Sequence, residues 1–417
     1  MSNIKLISFS IIIFITLIYS FIKKFDISGG GASADLLSHW TYILILNENI
    51  YNLFTLKAGD DYRLLHFPLH HLIFSRFDFL VDNQKLYLNF FFFFSFLLPI
   101  LFYLNCKVLY KNSYKNNLIF ISILIFLMPH YQASSIWGNS HITALIFFLL
   151  SVLFFNIRFN NNIFLEKKNI FFSMLFLTMA AYTRQYYVIF FPFMLFKIYQ
   201  INKLKEVLFT ILILSLLALP GLTYLINNPK LLTGFKMNIT DFKSSILIVI
   251  SLICFYLLPF FILNLKENIK IFFNEKLNKK KFYVYLILNF FLIWICFNFH
   301  YESLIGGGIF YKISLFFLNN NFILYISSFI GLFLIYFYYN DKFDYILLIF
   351  LLTTSFSSGF FIFQKYFEPL LIFILFLFFD KKNMEKILKK NLNFIMLYFF
   401  SYWIVYYLYS LEFLSIS

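Results

Sequence analysis

Asp35 stands just beyond the first hydrophobic stretch of the chain. A carboxylate there could take a proton from an attacking hydroxyl, or bind a hard divalent cation through oxygen. It could equally cap a helix over 36–46, or simply favour that helix's positive end. Asp60-Asp61-x-Arg63 adds two carboxylates suited to a metal or to sugar hydroxyls, and a guanidinium suited to phosphate. The plain alternative is a solvated charged turn with a local ion pair. His39, His66, His70 and His71 share the region, and His66 and His70 could lie one helical turn apart, as zinc ligands do. No HExxH and no neighbouring cysteine accompanies them, so hydrogen bonding to a polar substrate or interfacial packing accounts for them better. Farther along, Arg184-Gln185 is flanked by Tyr182, Tyr186 and Tyr187. That arginine could grip a phosphate or snorkel to lipid headgroups, and Lys365-Tyr366 raises the same pair of readings. His141, His300 and Glu302 are weaker candidates at the ends of apolar stretches.

These residues need a scaffold, and composition says which kind. The chain is 61% hydrophobic with a mean hydropathy of +0.80, where soluble domains hold roughly 45–50% apolar residues. An all-α polytopic membrane protein is the class that absorbs this, because backbone facing lipid must satisfy its own hydrogen bonds. The 66 phenylalanines carry no functional weight, since an AT-rich genome would produce them. Apolar stretches of membrane-crossing length number about thirteen. They fall near 7–22, 86–105, 117–129, 142–156, 169–182, 186–200, 207–226, 244–264, 282–298, 322–339, 344–360, 366–379 and 393–411.

Most of the 34 lysines and arginines fall in alternate loops, which the positive-inside rule assigns to the cytoplasm. The net charge of +15 is thereby explained by topology and lipid-surface contacts rather than by nucleic acid. Asp35 and its neighbours then lie on the opposite, extracytoplasmic face. Cys106, Cys254 and Cys296 have neither disulfide nor zinc spacing. No small-residue cleavage site precedes Lys23-Lys24, so the first stretch reads as a retained span.

The loop over 23–85 holds four of the seven histidines and seven of the nineteen acidic residues, in a chain only 13% charged. Within it, Leu36-Leu37, Trp40, Tyr42 and Ile43-Leu44-Ile45 recur at near-helical spacing and predict an amphipathic surface helix over 34–46. Phe67-Pro68-Leu69 starts a second, with Pro68 in its first turn. Gly29-Gly30-Gly31 leads into Asp35 as a flexible approach. The chain reads as one membrane domain over 1–417, with the spans from about 207 onward forming a variable part that binds lipid or acceptor.

Together these segments resemble the GT-C glycosyltransferases, multi-span enzymes that move a sugar from a polyprenyl-phosphate donor. The match lies in Asp35 within GGGASADLLSHWTYILI and in RLLHFPLHHLI. It continues in TRQYYVIFFP (Thr183 to Pro192) and QKYFEPLLIF (Gln364 to Phe373). The resemblance implies a first outer loop with two surface helices and an essential acid, here Asp35. Arg184, and Lys365 or Arg63, would meet the polyprenyl phosphate, while His39, Asp60, Asp61, His66, His70, Gln185 and Tyr366 would bind sugar or acceptor. Many GT-C members carry paired acids where Asp35 is flanked by Ala34 and Leu36, which leaves a magnesium or manganese ion open. The acceptor would be a lipid, a glycan or a protein, and the setting a bacterial inner membrane, with the endoplasmic reticulum as alternative. Two rivals are an O-antigen-type polymerase, which usually places its large loop later, and a lipid-linked oligosaccharide flippase, which would bury charges mid-span.

Overall fold

The structure is a computed structural model. It describes residues 2–28, 31–55, 66–159, 167–202, 204–228, 239–276, 280–295, 301, 306–338, 342–355, 362–379 and 381–416. All regular structure among the described residues is helical. The chain divides into two compact units, one of residues 2–234 with 399–417 and one of residues 235–398.

The first unit opens with α1 (Asn3–Ile22), α2 (Gly31–Glu48), α3 (Asn52–Thr55), α4 (Leu69–Phe74) and α5 (Asp78–Val81). Then come α6 (Gln84–Ser95), α7 (Leu97–Leu109), α8 (Lys115–Leu124) and α9 (Pro129–Ile136). α10 (Ser140–Phe159), α11 (Lys167–Ala181), α12 (Phe190–Ile201) and α13 (Leu204–Asn227) complete the series. Among the described residues, five helices are long and apolar enough to cross a membrane: Asn3–Ile22, Gln84–Leu109, Leu204–Asn227, Ser244–Leu263 and Asn393–Leu411. A sixth candidate is a broken pair, Asn112–Leu127 and Pro129–Ile136, bent by 69°. These match a membrane protein and account for five or six of the roughly thirteen expected spans. Others of the expected set are shorter: α11 has 15 residues and α12 has 12, and at about 1.5 Å per residue neither bridges a hydrocarbon layer of about 30 Å alone.

Polar side chains pin the apolar helices of this unit together. Asn105 on α7 donates to the Leu149 carbonyl on α10 at 3.0 Å. Gln132 on α9 accepts from Ser20 of α1 at 3.1 Å and from the Trp403 indole at 3.0 Å. Among lipid tails, where burial of apolar area does not drive helix association, such bonds and close packing do.

A helix covers the expected 34–46 but begins earlier, at Gly31. Asp26 explains the start. Its carboxylate accepts the Ser33 N–H at 2.8 Å and the Ser28 N–H at 2.9 Å, while Ser28 Oγ accepts the Ala32 N–H at 3.0 Å. The exposed first-turn donors of α2 are thus met by Asp26 and Ser28. Asp35 lies inside the helix and is not its cap, which removes that alternative for it. The second expected helix begins at Leu69 with Pro68 as its N-cap, so Pro68 stands one position before the first turn rather than within it.

In the second unit the main apolar helices are Ile239–Leu263 and Phe322–Tyr338, packed closely where Gly331 meets the Ile250 carbonyl. Glu368 is fully buried there and accepts a 2.6 Å hydrogen bond from the Tyr256 hydroxyl.

Candidate functional site

The site is built where α9 gives way to α10. Pro129 opens α9 at its first position, where its missing N–H costs nothing. Gly138 closes α9 in the left-handed region, φ +66°, and the Asn139 N–H returns to the Ser134 carbonyl at 2.9 Å, the usual glycine-ended helix stop. Asn139 then starts α10 at once: its Oδ1 accepts the His141 N–H at 3.2 Å, as an N-cap does.

The fully buried Asn139 also reaches two distant residues. Its Nδ2 donates to Asp35 Oδ2 at 3.0 Å, and its Oδ1 accepts from Arg184 Nη2 at 2.8 Å. One amide therefore joins the carboxylate on α2 to the guanidinium that follows α11. Asp35 is half-buried, whereas Arg184 is only 2% exposed. The arginine does not snorkel. It sits where α11 ends and a short 3-10 turn, Gln185–Ile189, begins, with its own N–H bonded to the Ala180 carbonyl at 2.8 Å.

His66 completes the arginine's surroundings. Arg184 Nη1 donates to His66 Nε2, and His66 Nδ1 lies 3.1 Å from Gln185 Oε1. Since Nε2 must accept, the ring proton sits on Nδ1 and goes to the Gln185 carbonyl. Arg184 Nε has no hydrogen-bond partner among the described residues. A buried cation whose close partners are an amide oxygen and an imidazole nitrogen is well suited to an added anion, because both partners are neutral. His141 borders the site as well, its Nδ1 2.6 Å from the Tyr186 hydroxyl.

A second polar group stands behind α10. His70 Nδ1 is 2.9 Å from Thr143 Oγ1 and its Nε2 is 3.2 Å from the Tyr87 hydroxyl. Tyr87 donates its one proton to the Gly138 carbonyl at 3.0 Å, so it must accept from His70 Nε2–H, and Thr143 donates to Nδ1. This line braces the Gly138–Asn139 turn. Beside it, His39 Nδ1 and His71 Nε2 share a 2.8 Å hydrogen bond, with the rings stacked 5.0 Å apart. All three rings are buried. Burial, with smaller contributions from neighbouring imidazoles and Arg184, holds His39 well below its ordinary range and does the same to His70. His71 is lowered to about 3, again mainly by burial.

Of the expected site residues, the structure brings together Asp35, His66, Arg184 and Gln185. His39 Nδ1 and both His70 nitrogens turn to protein partners in the adjoining cluster. His66 and His70 do not share a helix face, because His66 precedes α4. Asp60, Asp61, Arg63, His300 and Glu302 lie outside the described residues. Lys365 and Tyr366 belong to the second unit, where Lys365 Nζ lies 5.1 Å from the Phe363 ring centroid. Among the described residues no group of three or more His, Cys, Asp or Glu is placed to hold a metal ion. Sequence reasoning missed Asn139, whose only signal is its place between Gly138 and a helix start. It also missed Asp26, Tyr87 and Thr143 as supports. Comparison with protein-family models, with characterised proteins and with solved structures gives no match.

Proposed function

We propose that this chain is an inverting glycosyltransferase that moves a sugar from a polyprenyl-phosphate carrier to a hydroxyl of a lipid, glycan or protein acceptor at the extracytoplasmic face of a membrane. The observation that carries the reading is the hydrogen-bonded line from the Asp35 carboxylate through Asn139 to the buried Arg184 guanidinium. Group transfer from a phosphate carrier needs a base for the incoming hydroxyl and a fixed cation for the departing phosphate. A carboxylate and a guanidinium held by one amide meet both needs.

In the reaction, the acceptor oxygen forms its bond to the anomeric carbon as the bond from that carbon to the phosphate oxygen breaks. The hydroxyl proton passes to Asp35, and the electron pair leaves with polyprenyl phosphate, whose growing charge Arg184 meets. Asn139 aligns both groups, and His66 with Gln185 fixes the guanidinium plane. The apolar helices supply a setting for the isoprenoid chain. The test is transfer of labelled sugar from a polyprenyl-phosphate donor in membranes carrying wild-type protein or Asp35→Asn at equal abundance. Loss of a positioned base predicts a fall of about 10²–10⁴-fold; undiminished turnover would remove Asp35 from the chemistry.

A further inference from the structure

A cleft of about 260 Å³ opens between the end of α1 and the start of α6, with Lys24, Lys85, Asn89, Phe21, Leu88 and Ile136 among its lining residues. Its chemistry is graded along the helix axes. Lys24 lies past the end of α1 and Lys85 in the first turn of α6, whereas Phe21 and Leu88 lie about one turn, some 5 Å, farther in. Asn89 falls on the same face of α6 as Lys85, four positions on. Cations at one end, with apolar side chains and an amide about one turn farther in, match the phosphate and the ester and acyl-chain region of a glycerophospholipid.

Lys24 adds an independent observation. α1 ends with the Phe25 N–H on the Ser20 carbonyl at 2.9 Å and the Lys24 N–H on the Phe21 carbonyl at 3.1 Å, the motif in which glycine usually holds the left-handed position. Lysine holds it here, at φ +49°. A side chain kept where glycine is easier suggests that the side chain has a use. The geometry points to a binding site for one anionic glycerophospholipid, its phosphate between Lys24 and Lys85 and its chain against Phe21, Leu88 and Ile136. The site stands apart from the transferase reading. It does border the turn that carries Asn139, since Ile136 and Trp137 line the same cleft.

The test uses the full chain in phosphatidylcholine nanodiscs, titrated with phosphatidic acid brominated on its acyl chain, and follows quenching of Trp137 as the difference between wild type and Trp137→Phe. Saturable quenching is expected at a mole fraction at least tenfold below that of brominated phosphatidylcholine. Lys24→Gly and Lys85→Gln are each expected to weaken the preference about fivefold, the effect of one lysine beside an anionic headgroup (about 1 kcal/mol). Lys24→Gly should keep its unfolding midpoint, because glycine suits that backbone. Lys23→Gln removes the same charge next door, outside the cleft lining, and should leave the preference intact. Equal weakening by Lys23→Gln, absence of any preference, or displacement by millimolar inorganic phosphate would each overturn the proposal.

Discussion

Replacing Asn139 with leucine removes a residue of similar size and, with it, three hydrogen bonds. Two go to charged groups, Asp35 at 3.0 Å and Arg184 at 2.8 Å, and bonds of that kind contribute about 1.5–3 kcal/mol each. The third caps α10 through the His141 N–H, worth about 1 kcal/mol. Asp35 is half-buried and recovers part of its loss from solvent, whereas Arg184, at 2% exposure, recovers little. The expected cost is therefore about 4 kcal/mol, a large share of the roughly 5–15 kcal/mol that keeps a domain folded. Asn139→Asp keeps an acceptor for both Arg184 and the cap, and loses only the donor toward Asp35. It should cost less than leucine even though it sets two carboxylates together. Denaturant unfolding in detergent, followed by tryptophan fluorescence, reads both variants. If Asn139→Leu lies within 1 kcal/mol of wild type, or Asn139→Asp is the weaker fold, the amide is not holding the two charges as described.

Two further outcomes follow from the supports behind the site. His39, His70 and His71 are neutral in the fold and titrate near 6.5 once unfolded, so only the unfolded chain gains protons as pH falls below 6.5. Stability is then full above pH 6.5 and is lost progressively toward about 3, the level to which His71 is lowered. At pH 5 His71 alone costs about 2 kcal/mol, and His39 and His70 act in the same direction, which unfolding midpoints at pH 7.5 and 5 will read; equal midpoints would contradict the burial. At Gly138, an added Cβ would sit 2.7 Å from Tyr87 Cε1 at φ +66°. The Tyr87 ring is pinned by its hydroxyl and cannot swing away, so Gly138→Ala should lower stability by about 2–4 kcal/mol in the same unfolding assay.

The sequence made some of this legible and hid the rest for physical reasons. Asp35, Arg184 and His66 stand out because ionisable groups are scarce in an apolar chain, and Gln185 because it follows Arg184 directly. Asn139 does not stand out. Between Gly138 and Ser140 it reads as an ordinary turn and cap, and its second role depends on partners 104 and 45 residues away. The histidines mislead for a related reason. Spacing suggests that His66 and His70 share a face, but α4 starts at Leu69, so the two rings serve different neighbours. Asp26 was readable as a cap only once the helix start moved back to Gly31. Apolar runs likewise mark helices without fixing their length: α11 and α12 fall on expected stretches, yet have only 15 and 12 residues.

In the proposed reaction Asp35 and Arg184 act as one unit through Asn139. A double-mutant cycle on sugar transfer from a labelled polyprenyl-phosphate donor tests it directly, using Asp35→Asn, Arg184→Gln and the pair. Each single change is expected to lower turnover at least about 100-fold, and the double variant to fall less than about tenfold below the weaker single. Losses that multiply, or singles that keep full turnover, would contradict this coupling.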